Sequence, residues 1–354
     1  MVGRSNRPSA LSSTPGLAPQ PLVTISPDNS SVSAVLPTGE SVSVLLYGAT
    51  VTSWKDALGA EKLWLSDAAK LDGTKAVRGG IPLVFPVFGT APDHAQTGKL
   101  PQHGFARTSR WEFLGKSTSE SATPVSGEAG SSSTRGGSAA ADLSVKLDFG
   151  LSAAGLHDSV KKLWPFAFNL IYSVTLNRDS LTTSLVVTND DDKSWDCQVL
   201  MHTYLRVKVC FFFPLDQWCS EGLILEQEIS AVSISGLDNT SFVDKVDGAK
   251  TKTQPAGPLT ITGETDRVYI PASGSSDAVN VLEGGKKVFT VTRDNLANVV
   301  VWNPWTDKAA GMGDFAPKDG FKNMLCIEPG SVSGWQTLEP GDAFEGAQTI
   351  TYHF

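Results

Sequence analysis

Short segments in which polar and apolar residues alternate recur along most of this sequence. Residues 31–35, 41–45 and 144–149 are examples, and the turn-forming residues 37–40 separate the first two. This alternation predicts β-strands with one buried face, because successive side chains of a strand point to opposite sides. The chain also has 33 glycines and 20 prolines, which favour turns over helices. We therefore expect an all-β protein, built as a large antiparallel sandwich.

The domain organisation follows from where this pattern starts and stops. A chain of 354 residues is long enough for one large β domain or two ordinary ones. Residues 1–20 are rich in Ser and Pro without a period, which predicts a disordered tail. Strand signals begin at residue 22, so we predict a single domain over residues 21–354.

Two stretches interrupt that domain. Residues 116–141 consist mainly of Ser, Thr, Gly and Ala between strand-like flanks, which predicts a flexible surface insertion. Residues 209–227 are bulky and unpatterned, and we interpret them as a second insertion, an untranslated segment retained in the gene model. Peptides from this segment in the native protein would disprove that interpretation.

Charge and cysteine content exclude several classes of protein. The net charge is −8, from 29 basic and 37 acidic residues, and no run of Lys or Arg stands out, so no nucleic acid partner is expected. No apolar run approaches the ~18 residues of a membrane span. The basic residues near the N-terminus lack an apolar core after them, so we expect no secretory signal. The four cysteines lack metal-binding spacing, which favours free thiols in a reducing compartment. We expect a cytoplasmic, soluble monomer without a membrane partner; the cysteines are Cys197, Cys210, Cys219 and Cys326.

A carboxylate follows an apolar stretch near the C-terminus. Residues 324–327 predict a buried strand, and Glu328 is its first polar residue. Pro329 and Gly330 then predict a turn. A carboxylate held beside apolar walls has a raised pKa and can act as a general base. Taken alone, the stretch fits an exposed turn glutamate at least as well.

An arginine and a histidine lie in apolar surroundings elsewhere. Arg78 opens a segment with two glycines and two prolines, which cannot form a regular central strand, so the arginine is expected at the lip of a cavity. Its guanidinium can bind phosphate or sugar oxygens, or pair with a structural carboxylate. His202 interrupts a strongly apolar run. It is either a neutral core residue or one that faces a cavity and transfers a proton.

A third polar cluster surrounds a glycine. His103 and Arg107 flank Gly104, and a glycine allows a ligand to approach the backbone closely. Gln102 belongs to the same cluster. The alternative for His103 is a loop histidine that is bonded to a backbone carbonyl.

Three segments together resemble the aldose 1-epimerase (galactose mutarotase-like) superfamily: Arg78-Gly-Gly-Ile-Pro-Leu-Val-Phe-Pro, Leu100-Pro-Gln-His-Gly-Phe-Ala-Arg107 and Cys326-Ile-Glu-Pro-Gly-Ser-Val-Ser. Within it they are most similar to the glucose-6-phosphate 1-epimerases, the hexose-6-phosphate mutarotase branch. Val301-Trp-Asn-Pro-Trp and Met201-His-Thr-Tyr fit the same branch, and the resemblance covers roughly residues 22–352.

The resemblance implies a β-supersandwich and an isomerase that interconverts the α and β anomers of D-glucose 6-phosphate or a related hexose 6-phosphate. It implies that Glu328 is the general base on the C1 hydroxyl and that His202 is the general acid on the ring oxygen. No metal or other cofactor is expected, because one acid and one base suffice for ring opening and closure.

The resemblance also implies a set of substrate-binding residues. Two arginines would bind the phosphate, and the others would contact the ring oxygen and hydroxyls. They are Arg78, Gln102, His103, Arg107 and Asp244. Two alternatives stay open, a mutarotase for neutral aldoses and a carbohydrate-binding β-sandwich without turnover. Residues 209–227 depart from the family pattern and follow His202 closely. If they are present in the protein, we expect them to misplace His202 or to block the cavity.

Overall fold

A computed structural model describes residues 19–118, 143–207, 229–272 and 277–354. The predicted tail lies outside these ranges, except for residues 19 and 20 before the first strand. The predicted insertion at 209–227 lies wholly outside them, as does nearly all of the one at 116–141. No helix in the described ranges is long and apolar enough to cross a membrane.

The described residues form 21 strands. In chain order these are β1 (Leu22–Ile25), β2 (Ser31–Val35), β3 (Ser41–Leu45), β4 (Thr50–Lys55), β5 (Leu83–Val84), β6 (Glu112–Thr118), β7 (Val145–Ser152), β8 (Phe168–Leu176), β9 (Ser180–Asn189), β10 (Trp195–Met201), β11 (Tyr204–Arg206), β12 (Val232–Ser235), β13 (Ser241–Asp244), β14 (Lys250–Thr253), β15 (Leu259–Thr260), β16 (Thr265–Ile270), β17 (Val279–Glu283), β18 (Lys286–Asp294), β19 (Asn298–Asn303), β20 (Met324–Leu338) and β21 (Ala343–Tyr352).

Helices are short and few among the described residues. The α-helices are α1 (Asp158–Lys161) and α2 (Trp305–Gly311). Single 3-10 turns occur at Ala106–Thr108, Ala153–Gly155, Ile229–Ala231 and Gly320–Asn323. The prediction of an all-β fold is confirmed.

The strands assemble into three antiparallel sheets. The first contains β1 to β4 in sequence order. The second has eight strands, with β14-β13-β16-β19-β20-β10-β5 as its path and β11 paired to β20. The third has nine strands in the order β15-β12-β17-β18-β21-β9-β8-β7-β6. Many neighbouring strands are not consecutive in the sequence, so the sheets bring together residues that are far apart in the chain.

The two large sheets share one hydrophobic core. Leu185 of β9 and Ile327 of β20 belong to the same cluster of buried apolar side chains. A buried hydrogen bond of 2.8 Å, donated by the Gln348 amide to the Thr203 hydroxyl, also joins them. Removal of this apolar surface from water is the main stabilising contribution, at roughly 25 cal/mol per Å² buried. The strands of both sheets are therefore held in place by a common core.

The turn predicted at Pro329-Gly330 is absent, because β20 runs without a break from Met324 to Leu338. Pro329 lacks an N–H but lies within the ladder opposite Val299 of β19. At Gly330, a Cβ atom would lie 2.8 Å from the Leu200 Cβ and from the Val199 carbonyl oxygen. The glycine is therefore required by the close approach of β10, and the prediction of a turn was wrong.

On the other side of β20, the partner strand is interrupted. β11 pairs with Met324 to Cys326, whereas β10 pairs only from Gly330 onward. His202 and Thr203 lie in the gap between these two strands, where the Ile327 N–H donates to the Thr203 carbonyl oxygen. The interruption directs His202 toward the middle of β20, where Glu328 lies.

One boundary of the predicted insertion at 116–141 needs correction. Residues 116–118 still belong to β6, where they pair with residues 145–147 of β7. Pairing with β7 extends the strand here despite the polar composition, because the neighbours of a strand can outweigh a weak β-propensity.

Candidate active site

Six of the seven residues predicted for the site line one cavity of about 290 Å³. These are Arg78, Gln102, His103, Arg107, His202 and Glu328. They come from β20, from the gap between β10 and β11, and from two irregular segments. The cavity has seven further lining residues, namely Phe88, Lys245, Asp266, Val300, Trp302, Lys308 and Met312.

Glu328 lies on the central strand β20, opposite Val300 of β19. It is 1% exposed. Burial raises the pKa of its carboxyl well above the usual 4.5, and the nearby Asp266 carboxylate adds to the increase. A hydrogen bond with the Cys326 thiol and the charges of Lys245 and Arg107 act in the opposite direction. A carboxyl group with a raised pKa is suited to accept and return a proton near neutrality.

His202 is in direct contact with this carboxyl group. Its Nδ1 lies 3.1 Å from the Glu328 Oε1. Within the described residues, neither of these two buried atoms has a hydrogen bond of good geometry. Burial, together with the positive charges of Arg107 and Arg78, lowers the pKa of the imidazole well below its usual value. The two groups are therefore in contact in an environment that disfavours charge on either of them.

A second imidazole faces the same cavity. The ring centroid of His103 lies 6.0 Å from that of His202, with the planes nearly perpendicular. The Gly89 N–H donates to the His103 Nδ1 at 3.1 Å. Burial and the nearby cations, Arg107 first among them, lower the pKa of this imidazole to about 2. Because Nδ1 accepts the Gly89 N–H, the neutral imidazole of His103 carries its proton on Nε2 and can donate a hydrogen bond there.

Backbone conformation explains the sequence around His103. His103 and Gly104 have φ angles of 68° and 70°, in the left-handed region. A Cβ atom at Gly104 would lie 2.1 Å from the carbonyl oxygen of Phe85. The glycine thus lets the loop approach Phe85 and bring His103 to the cavity wall, whereas the prediction assigned it to ligand approach.

The two predicted arginines differ in their partners. Arg78 donates two hydrogen bonds of 3.3 Å to the Asp314 carboxylate and one of 3.2 Å to the Tyr204 hydroxyl. Arg107 donates to the Gln102 carbonyl oxygen at 2.9 Å. Its Nε is buried without a partner, and no carboxylate of the described residues forms an ion pair with it.

Burial lowers the pKa of Arg107 to about 10, which still leaves the group charged at neutral pH. Two other cations of the cavity are paired with carboxylates, Lys245 with Asp266 at 3.2 Å and Lys308 with Glu264 at 2.7 Å. Arg107 is therefore the cavity cation that most lacks a counter-charge. A half-buried guanidinium without a carboxylate partner is suited to bind an anionic ligand.

Asp244 is not brought to the cavity. Its carboxylate is 2.8 Å from the Lys252 ammonium and accepts from the backbone N–H groups of Val246 and Asp247. These bonds stabilise the β13–β14 hairpin. Asp266, on the neighbouring strand β16, lines the cavity instead.

Sequence reasoning did not select Asp266, Lys245 or Lys308. A signal for Asp266 was present, because it lies next to the start of the Arg267-Val-Tyr-Ile strand segment. Lys245 directly follows Asp244, and its N–H donates to the Asp266 carbonyl oxygen. Only the pairing of β13 with β16 brings Lys245 and Asp266 together.

Three potential metal ligands also meet in this region. Ligand atoms of His202, Cys326 and Glu328 all lie within 4.8 Å of one another. Acid–base chemistry at the same groups needs no ion, and the absence of a metal stays a prediction.

A large antiparallel sandwich with a buried acid–base pair in a polar cavity defines an enzyme that moves protons on a small polar substrate. The chain belongs to the aldose 1-epimerase family, whose model, described as "Aldose 1-epimerase", matches residues 32–351. This confirms the predicted family and the predicted class of enzyme, an epimerase that interconverts sugar anomers.

Several curated relatives carry the description "Putative glucose-6-phosphate 1-epimerase", and two of them illustrate the similarity to this chain. One, from Cenchrus ciliaris, is 32% identical over 306 residues, which is 86% of this chain and 78% of that protein. The other, from Escherichia coli K12, is 30% identical over 308 residues, covering 87% and 85% respectively. A crystal structure from Salmonella typhimurium, described as a "putative mutarotase (YeaD)", has a TM-score of 0.70 and 25% identity over 95% of both chains. The predicted galactose mutarotase-like fold is confirmed.

Proposed function

We propose that this chain interconverts the α and β anomers of D-glucose 6-phosphate. The observation that carries the proposal is the 3.1 Å contact between the Glu328 Oε1 and the His202 Nδ1 at the wall of the cavity. The anomeric hydroxyl O1 and the ring oxygen O5 are bonded to the same carbon. A base for O1 and an acid for O5 must therefore be neighbours, as these two groups are.

The proposed reaction needs only proton transfers. The resting pair holds one titrating proton on Glu328, and its transfer to His202 gives a carboxylate and an imidazolium in contact. The Glu328 carboxylate then removes the proton of the O1 hydroxyl, and the His202 imidazolium donates a proton to O5. The C1–O5 bond breaks, and C1 becomes an aldehyde. Rotation about the C1–C2 bond presents the other face, and the reverse transfers close the ring. Each proton-transfer group contributes roughly 10²- to 10⁴-fold to such a rate.

Other residues of the cavity would orient the sugar. The Nε2–H of His103 would donate to a ring or hydroxyl oxygen, and Gln102 would add an amide. The Asp266 carboxylate would accept from hydroxyl groups, a role that its place in the cavity supports better than that of Asp244. Aromatic rings pack well against sugar rings, and Trp302 offers one at this wall.

The charge of the cavity favours a phosphorylated sugar over a neutral one. Arg107 lacks a carboxylate partner among the described residues, and Arg78 also lines the cavity. Arginine forms paired hydrogen bonds to phosphate oxygens, and these are stronger than bonds between neutral groups. We propose that Arg107 and Arg78 bind the 6-phosphate.

Exchange NMR between anomers tests the proposal. The purified full-length chain is mixed with α-D-glucose 6-phosphate or with α-D-glucose, and the rate above the spontaneous one is measured. The proposal predicts acceleration for the phosphorylated sugar and far less for glucose. Equal acceleration of both would contradict the phosphate assignment, and acceleration of neither would contradict the enzymatic one.

A further inference from the structure

Tyr204 is the residue that joins the two halves of the site. Its ring lies parallel to the imidazole of His202, with centroids 4.7 Å apart and planes only 8° from each other. Its hydroxyl accepts a hydrogen bond of 3.2 Å from the Arg78 guanidinium. One side chain therefore contacts both the proposed acid and a proposed phosphate ligand.

The surrounding aromatic residues explain the ring of Tyr204 but not its hydroxyl. Trp64 stacks on one side at 5.9 Å, and Trp302 meets both Tyr204 and His202 edge-on. A phenylalanine would fill the same space. Tyr204 is 1% exposed, and a buried hydroxyl destabilises the fold unless it is hydrogen-bonded. Packing therefore explains the aromatic ring of Tyr204 but not its hydroxyl group.

The hydrogen bond with Arg78 explains the hydroxyl group of Tyr204. Two bonds to Asp314 and one to Tyr204 hold its guanidinium from two directions. A guanidinium that is already oriented loses little conformational freedom when it binds an anion. The Tyr204 hydroxyl thus prepares Arg78 for a ligand.

The imidazole of His202 must also be held in one orientation. Its Nδ1 is directed at Glu328, while its peptide N–H donates to the Pro82 carbonyl oxygen. Its ring faces the parallel ring of Tyr204 and the edge of Trp302. These contacts restrict rotation of the imidazole, on which proton transfer depends.

We propose that Tyr204 is a positioning residue with two separable roles. Its ring fixes the imidazole of His202 for proton transfer, and its hydroxyl fixes Arg78 for the phosphate. The proposal rests on the proposed roles of His202 and Arg78. It goes beyond those roles, because neither an acid at His202 nor a phosphate ligand at Arg78 by itself requires a tyrosine between them.

Two substitutions separate the roles in the full-length chain. Tyr204→Phe keeps the ring and removes the bond to Arg78. We expect KM for α-D-glucose 6-phosphate to rise about three- to tenfold, the size of one ordinary hydrogen bond, because Arg78 itself stays in place and loses only one of the bonds that orient it. The constants for glucose should change less, because glucose has no phosphate.

Tyr204→Leu removes the ring as well. We expect kcat to fall roughly 10- to 100-fold on both sugars, because small displacements of a catalytic group have effects of this size. The pH dependence of kcat should change too, since the imidazole loses the ring that covers it. If this variant does not fold, the NMR resonances of the His202 ring in Tyr204→Phe replace it, and these should keep the shifts that the stacked ring induces.

Tyr172→Phe is the matched control. Tyr172 is a fully buried tyrosine of β8, in the other large sheet, and it does not line the cavity. Its substitution should leave KM and kcat unchanged. The proposal is overturned if Tyr204→Phe behaves like this control, or if it raises KM equally for both sugars. Failure of the proposed function is a different result, because the unmodified chain would then accelerate neither sugar.

Discussion

The Oε1 atom of Glu328 lies 3.1 Å from the Nδ1 atom of His202, although the two residues are more than a hundred positions apart in the sequence. The gap between β10 and β11 makes this contact possible, because it turns His202 toward the centre of β20. A hemiacetal placed against the pair would have O1 and O5 beside a base and an acid. The predictions below follow from this contact and from the charges around it.

The buried carboxyl group of Glu328 should make stability depend on pH. Its pKa in the folded chain is raised well above 4.5, so the folded state binds its proton more tightly than the unfolded state does. This contribution to stability is fully present below the unfolded pKa and is lost as the pH rises through the folded pKa. Each pH unit between the two values corresponds to about 1.4 kcal/mol.

Glu328→Gln removes this titration. The variant should therefore gain stability relative to the unmodified chain as the pH rises from 5 to 9, measured by denaturant unfolding. Glu112→Gln, at an exposed position of β6, is the control and should show no such trend. A stability difference for Glu328→Gln that stays constant over this range would contradict the account.

The pair of Glu328 and His202 should also give a bell-shaped pH profile of kcat/KM. Burial raises the pKa of Glu328 and lowers that of His202, so the form with one shared proton is the stable one over a wide range. Activity should fall at low pH, when the imidazole accepts a second proton below its usual pKa of 6.5. It should fall at high pH, when the pair loses its proton. A profile without the high-pH decrease would contradict a raised pKa for Glu328.

Substitution of Asp266 and of Asp244 tests directly which of the two carboxylates binds the sugar. Asp266 raises the pKa of Glu328, so Asp266→Asn should shift the high-pH limb to lower pH. It should also raise KM about tenfold, the loss of one hydrogen bond to a charged group. Asp244→Asn should loosen the β13–β14 hairpin, by about 1 kcal/mol of stability, and leave the profile in place. The opposite pattern would restore Asp244 as the sugar ligand.

Arg107 should determine the preference for phosphate. Arg107→Gln should raise KM for glucose 6-phosphate about 10- to 100-fold, because a charge-assisted bond contributes about 1.5–3 kcal/mol. KM for glucose should stay nearly the same. Arg110→Gln, three positions later at an exposed site outside the cavity, is the matched control. An equal effect of Arg107→Gln on both sugars would remove Arg107 from phosphate recognition.

The sequence was informative where function depends on a short local motif. Gly104 lies in a left-handed conformation that few other residues adopt, and it delivers His103 to the cavity within a single segment. Arg78, Arg107, His202 and Glu328 could likewise be predicted from segments that resemble a known family, and all four line one cavity.

The sequence was less informative where strand pairing determines the local structure. Pro329 and Gly330 predict a turn by composition, yet the pairing of β20 with β19 and β10 keeps the chain extended. Asp244 and Asp266 both precede a basic residue. The register of β13 on β16, which no local pattern encodes, decides which carboxylate faces the cavity.

The most direct test of the central claim compares the unmodified chain with Glu328→Gln on α-D-glucose 6-phosphate. Exchange NMR gives the rate between anomers, and titration calorimetry gives the dissociation constant of the same sugar. The account predicts a loss of rate of roughly 10²-fold or more, with a dissociation constant that changes little, because the amide keeps the shape and removes the base. Unchanged turnover in Glu328→Gln would contradict it.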